Sequence, residues 1–210
     1  MSLDERLIRD AAILGVRLSP AEAARLLLLT QELARWNQTH NLTAITAPEA
    51  MLTHHLLDSL AVFTDLHGTQ VADVGTGAGF PGLPLAVASP GRHFTLIDSN
   101  NKKIRFVEHA VQLLALGNVT AVHARSEALR PPRPFDTVLA RACAPLPRLL
   151  SFVAPLAGRE TRVLALKGRV PGDELGALPP GWRVEQTRLI RVPGLDAARC
   201  VIVLRRGASH

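Results

Sequence analysis

The 210-residue chain is 47% hydrophobic with mean hydropathy +0.16, enough for one domain with a sizeable core, alone or with a helical extension. No apolar run is long enough to cross a bilayer, and the opening "MSLDERLIRDAAILGV" carries acids and lacks a signal-like apolar stretch, so a cytoplasmic protein is expected. A net charge of +6 and a pI near 10.5 suit a polyanionic partner, although an excess of this size also occurs on solvated surfaces.

Residues 1–66 read as helical, an amino-terminal extension packed on a domain spanning 67–210. "SLDE" at 2–5 is a capping box, followed on one face by Leu3, Leu7, Ala11 and Leu14. "SPAE" at 19–22 is a second box with Pro20 at the first helical position, opening a helix expected to end near Trp36. "WNQTHNLTAIT" is polar and turn-rich, and "TAPE" at 46–49 opens a third helix carrying Leu52, Leu56, Leu60 and Phe63 inward. From Thr69 short apolar runs alternate with helical patterns: "QVADV", "HFTLID", "VTAVHA", "FDTVLA" and "TRVLALK". Such alternation predicts a parallel sheet covered on both faces, an α/β fold. "GWRVEQTRLIRV" and "RCVIVLRR" lack a helix between them and predict an antiparallel hairpin at the far end, while "RPPRP" at 130–134 is a surface loop.

The candidate site starts from "DVGTGAGFPG" at 73–82. It lies between a strand and a helix, where open α/β sheets keep their ligand crevice. Gly77, Gly79 and Gly82 fit G-x-G-x-x-G, a weak signal alone, and no G-K-[ST] follows to make a phosphate loop. Asp73 discriminates better. A carboxylate before the loop would repel a pyrophosphate, but favours a cationic ligand such as S-adenosyl-L-methionine (SAM), directly or through water. Asp98, ending the second strand, suits the two hydroxyls of an unphosphorylated ribose, a property shared with NAD sites; capping of the next helix is the alternative. Ser126 and Glu127 follow the third strand where an adenine would lie, or serve as an N-cap. Arg141 stands at the crevice mouth after the fourth strand. His54 and His55 are read as one core-facing and one solvated residue, and no metal is expected because no ligating partner completes them. Cys143 and Cys200 make neither a zinc site nor a disulfide framework, and are expected to be small buried hydrophobes.

Together "WNQTHNLTAIT", "HHLLDSL", "DVGTGAGFPGLPLA", "FTLIDSNNKKIRFV", "LARACAPL" and "LALKGR" resemble, over about residues 30–205, the bacterial ribosomal RNA small subunit methyltransferase G family, also called glucose-inhibited division protein B. The resemblance implies a Rossmann-like SAM-dependent methyltransferase fold: a seven-stranded, mostly parallel sheet with a final antiparallel strand, preceded by helices. It implies methylation of N7 of guanine 527 in 16S rRNA. Cofactor contacts would fall on Gly75, Phe80, Asp98, Ser126, Glu127 and Arg141, with Asp73, Gly77 and Gly79 completing the loop. Lys167 would stand beside the target base or RNA backbone.

N7 of guanine has a free lone pair and no proton, so no general base is needed. Arg141 and Lys167 are accordingly read as positioning groups, Arg141 holding the methionine carboxylate of SAM or an RNA phosphate. Lysine occurs only at 102, 103 and 167. Lys102, Lys103, Arg105 and Lys167 are the expected RNA contacts, the first two having a solvated helix face as alternative. The expected partner is 16S rRNA or the small ribosomal subunit, met by a monomer. Rival readings are a SAM methyltransferase of another RNA, a protein or a small molecule; an NAD-dependent dehydrogenase; and a ribosome-binding module with a dead cofactor fold.

Overall fold

The computed structural model describes residues 1–141 and 144–207; the reading of Cys143 lies outside them. Helix α1 (Leu3–Ile13) and helix α2 (Pro20–His40) both start in reciprocal capping boxes. The Ser2 amide donates to Glu5 Oε2 at 2.9 Å, and the Ser19 amide to Glu22 Oε2 at 2.7 Å. α2 runs past the expected Trp36, because the polar residues 37–40 continue its hydrogen bonding until Asn41 closes it in a left-handed conformation, φ 49°. It buries Leu26, Leu29 and Leu33 completely, each stabilising the fold by about 1.5–3 kcal/mol.

The third helical segment departs from expectation at both ends. Pro48 takes the first helical position of α3 (Pro48–Met51), which makes Ala47 the N-cap, so Thr46 caps nothing. α3 then runs without a break into a π-helical turn, Leu52–Leu57, and a last α turn, α4 (Asp58–Leu60). Such π insertions frequently occur at functional sites. Leu52, Leu56 and Leu60 are fully buried as read from their spacing, while Phe63 is half-buried.

Seven strands form one sheet: β1 (Gln70–Val74), β2 (His93–Asp98), β3 (Val119–His123), β4 (Phe135–Arg141), β5 (Ala157–Lys167), β6 (Trp182–Ile190) and β7 (Arg199–Arg206). Their order is β3-β2-β1-β4-β5-β7-β6. β1 to β5 are parallel; β7 runs antiparallel to both β5 and β6. The remaining helices are α5 (Gly82–Ala88), α6 (Asn101–Leu113), α7 (Leu146–Val153) and the short α8 (Gly172–Gly176).

Alternation along the strands divides the core. Leu96, Leu139, Leu164, Leu166 and Val201 pack with the amino-terminal helices, α5 and α6. Ile97, Ala140, Ala165 and Ile202 pack on the other face with α7. This period of two decides which strand-end side chains can meet. Arg141 and Arg199 point to the amino-terminal-helix face, and Lys167 to the opposite one. The chain leaves β1 towards β2 and β3 on one side, then returns to β4 on the other, which puts a topological switch point at the loop after β1. No helix among the described residues is long and apolar enough to span a membrane.

Candidate functional site

The glycine loop is held by its own backbone. Gly75, Gly77 and Gly79 are all left-handed, with φ of 69°, 62° and 87°. At Gly77 that conformation turns the amide towards Asp98, donating to Oδ2 at 2.9 Å. Gly82 is required for a different reason: a Cβ there would collide with Leu96 and Asp73.

Asp73 does not take the place the sequence reading gives it. It is 0% exposed, because its register opposite Leu96 and Leu139 turns it into the α5 face of the sheet. Oδ2 accepts hydrogen bonds from the Thr76 hydroxyl at 2.7 Å and the Gly82 amide at 2.9 Å, while Oδ1 has no partner. Asp73 therefore braces the loop from beneath and lines none of the crevice cavities, so direct contact with a ligand there is replaced by action through the loop. Burial pushes its carboxyl up to about 6, against hydrogen bonds from Thr76 and Gly82 that pull it down.

Three cavities follow one another along the C-terminal edge of the sheet. The first, about 170 Å³, is lined by Gly75, Asp98, Ser126, Glu127 and Phe152 among others. Asp98 accepts the Gly77 amide on Oδ2 and the Asn100 amide on Oδ1, 2.8 Å. It does not cap α6; Asn100 does, accepting from Lys102 N at 3.0 Å. Nor does Ser126 make a side-chain cap for the 3-10 turn Ser126–Ala128; its hydroxyl donates to Glu127 Oε2 at 3.3 Å. The second cavity, about 230 Å³, shares Gly75 with the first and adds Gly77, Phe80, Thr43, His55, Lys103 and Arg141. Gly79 lies outside both, packed on Leu83.

The third and largest cavity, about 450 Å³, shares His55 and Arg141 with the second and adds His54, Asp58, Lys167, Gly168 and Arg199. Arg141 Nη1 lies 3.3 Å from Asp58 Oδ2, and Arg199 Nε lies 2.8 Å from Asp58 Oδ1. Lys167 Nζ donates to Glu174 Oε2 and to Ala144 O, both at 2.9 Å. His55 stacks on Phe80, ring centroids 4.9 Å apart, and its Nε2 lies 3.0 Å from the Thr43 hydroxyl. Burial, then the charges of Arg141 and His54, push its imidazole down to about 4, so it is neutral at physiological pH.

The structure thus gathers Gly75, Gly77, Phe80, Asp98, Ser126, Glu127, Arg141 and Lys167 on one crevice. Lys103 joins the second cavity, whereas Lys102 and Arg105 lie exposed on α6 outside all three. Cys200 is buried at the third cavity's wall. His55 is buried and His54 only partly so, and both line that cavity. Asp58, Arg199, Thr43, Glu174 and Phe152 escape the sequence reading. The "WNQTHNLT" block folds back so that Asn37 Oδ1 accepts the Thr43 amide at 2.8 Å, which seats Thr43 against His55. Arg199 becomes legible only once β7 is known to be antiparallel: its first residues then lie beside the last of β5, Cys200 opposite Lys167.

The chain is also similar to known proteins. A family model described as rRNA small subunit methyltransferase G matches residues 22–203. The ribosomal RNA small subunit methyltransferase G of Ectopseudomonas mendocina (strain ymp) is 43% identical over 204 residues, covering 96% of this chain and 95% of that one. The protein of the same name from Idiomarina loihiensis is 44% identical over 191 residues, 91% and 93% of the two chains. Among solved structures, M. capricolum TrmK in complex with the natural cofactor product S-adenosyl-homocysteine gives a TM-score of 0.55 at 14% identity, over 71% of this chain and 67% of that one, a likeness of fold. The chain belongs to the rRNA small subunit methyltransferase G family.

Proposed function

We propose that this chain transfers the methyl group of SAM to N7 of guanine 527 of 16S rRNA in the small ribosomal subunit. Family membership makes it a SAM-dependent rRNA methyltransferase; the nucleotide and the atom are the finer reading. One observation carries the assignment of subsites: three cavities in sequence, acidic and glycine-lined at one end and arginine- and lysine-lined at the other, joined at Gly75 and Arg141.

The residues fit the cofactor. Each Asp98 oxygen accepts one backbone amide and keeps a lone pair for a ribose hydroxyl. Ser126, Glu127 and Phe152 bound the space for an adenine. Asp73 Oδ1, buried and unpartnered under the loop, is a negative group whose charge a cationic ligand above the loop would stabilise. Lys103 and Arg141 line the middle cavity and suit the methionine carboxylate. When bound, SAM supplies a sulfonium methyl that a lone pair takes in line.

The protein's part is alignment. The third cavity would seat the guanine, with Lys167 and Arg199 at its wall for O6 or the flanking phosphates. An arginine gripping O6 and N7 together would cover the nucleophile; Asp58 takes one N–H of Arg141 and of Arg199, which leaves each guanidinium fewer N–H groups for such a bidentate grip and still others for single contacts. N7 carries no proton. His55, titrating near 4, is a poor base, in keeping with a reaction that needs none. Orientation of this kind supplies on the order of 7–11 kcal/mol of a barrier.

The test offers radiolabelled SAM with unmodified small subunits, free 16S rRNA and bulk protein, then maps the label by primer extension after cleavage at N7-methylated guanine. Label confined to guanine 527 is expected. Label on another nucleotide, on protein or on small molecules would overturn the finer reading.

A further inference from the structure

Asp58 is 7% exposed yet answers two cations that arrive from non-adjacent strands. Arg141 ends β4 and Arg199 begins β7, with β5 between them. Both guanidiniums face the same side of the sheet and the same cavity. Two such charges a few ångströms apart repel unless something of opposite sign stands between them. Asp58 stands there, one oxygen to each arginine, at 3.3 and 2.8 Å.

Its backbone is fixed as well. The Asp58 amide donates to Thr53 O, closing the π turn, and the Thr53 hydroxyl accepts from Arg6 Nη2 of α1 at 2.9 Å. The carboxylate is thus held by the amino-terminal helices while the cations it fixes come from the sheet. Arg141 lines both the middle and the large cavity, so whatever fixes Arg141 acts on both.

We propose that Asp58 is a positioning residue: a shared counter-ion that sets the two arginines in register for cofactor and RNA, acting through them. This rests on the assignment of the cavities given above, but not on which guanine or which atom is methylated. Asp58→Asn removes the negative charge and one of the two acceptor oxygens, so the arginines lose their common counter-ion while the side chain keeps its shape.

The test measures kcat and KM for SAM and for unmodified small subunits, per folded enzyme as judged by circular dichroism. The variants are Asp58→Asn, Arg141→Gln, Arg199→Gln, and the two doubles that combine Asp58→Asn with each arginine change. Asp58→Asn is expected to lower kcat/KM by about 10- to 100-fold. In each double, Asp58→Asn is expected to cost about 3- to 10-fold beyond the arginine single, less than its cost in the wild type, since only one of its two arginines remains to be misplaced. Effects that multiply in either cycle, or wild-type kinetics in Asp58→Asn, overturn the proposal. Wild-type kinetics in both arginine singles would overturn the cavity assignment beneath it. Should Asp58→Asn fail to fold, the triple Asp58→Asn/Arg141→Gln/Arg199→Gln decides against the double Arg141→Gln/Arg199→Gln. A folded triple within about threefold of that double supports the proposal, and an unfolded one assigns Asp58 to folding and overturns it.

Discussion

The buried Asp73 makes a prediction about stability that can be worked through with its sign. Its carboxyl titrates near 6 in the folded chain and at its ordinary 3.8 once unfolded. Between those values the folded state binds the proton and the unfolded state has released it, so stability falls as pH rises through that window. Below it both states are protonated and nothing is lost; above it the loss is complete. At about 1.4 kcal/mol per pH unit, the window is worth about 3 kcal/mol. Asp73→Asn retains an oxygen to accept from Thr76 and Gly82 but has no proton to titrate. Urea unfolding of both proteins from about pH 4 to about pH 7 should therefore show the variant gaining about 2 kcal/mol on the wild type, the remainder of the window lying below pH 4 and just above pH 7. Taking the difference cancels the titrating groups that do not interact with Asp73. Saturating SAM should flatten the wild-type slope, because a cation above the loop favours the ionised carboxylate; S-adenosyl-homocysteine, without the sulfonium charge, should flatten it less. A difference that stays level across the range would refute the reasoning.

Four further substitutions test separate parts of the frame. Thr137 is 0% exposed; its hydroxyl donates to His67 O at 2.7 Å and accepts the His67 amide at 2.9 Å. Thr137→Val should lower unfolding free energy in urea by about 1–3 kcal/mol. Gly77→Ala has open space for its Cβ but a left-handed backbone, so strain alone should take about 1–2 kcal/mol. Gly82→Ala should be worse than Gly77→Ala in the same thermal melts, because its Cβ meets Leu96 and Asp73 in a packed interior. Phe152→Ala, which opens the wall of the cavity at Asp98, should weaken SAM binding about tenfold in calorimetric titration.

Much of this fold was legible because the strands alternate with amphipathic helices, and because most inward residues of the central strands are Leu, Val, Ile or Ala. The capping boxes at Ser2 and Ser19 fixed two helix starts to the residue. Helix ends were harder. Residues 37–40 have turn composition, yet they continue α2 because tertiary packing of Trp36 against Phe106 and His109 anchors that end. The π turn has no sequence signature of its own, so the spacing of His54, His55 and Asp58 gave no sign that all three face one cavity. On the site, residues at the ends of strands were found, since a parallel sheet puts its ligands there. Asp58, from a helix, and Arg199, from the start of an antiparallel strand, were missed because both reach the crevice by topology. Asp73 was located correctly in the chain but given the wrong neighbour: strand parity turns it under the loop.

That same loop also decides against a dinucleotide. A pyrophosphate site at a strand–helix turn offers free backbone N–H groups to the phosphates. Here the amides of Gly75 and Thr76 donate to Ile97 O, at 2.9 and 3.1 Å, and those of Gly79 and Phe80 to Thr76 O, both at 3.0 Å. The Gly77 amide, the one best turned towards the crevice, is taken by the Asp98 carboxylate. A phosphate would have to break these bonds and then meet the negative charges of Asp98 and, beneath the loop, Asp73. A ligand whose positive charge lies over the loop and whose hydroxyls reach Asp98 breaks none of them. In thermal-shift measurements SAM at 100 times its Kd should therefore stabilise the chain by about 2.7 kcal/mol, while NAD at the same concentration leaves the midpoint unchanged. A shift with NAD equal to that with SAM would mean that the loop opens to offer its amides, and the electrostatic reading of the crevice would be wrong.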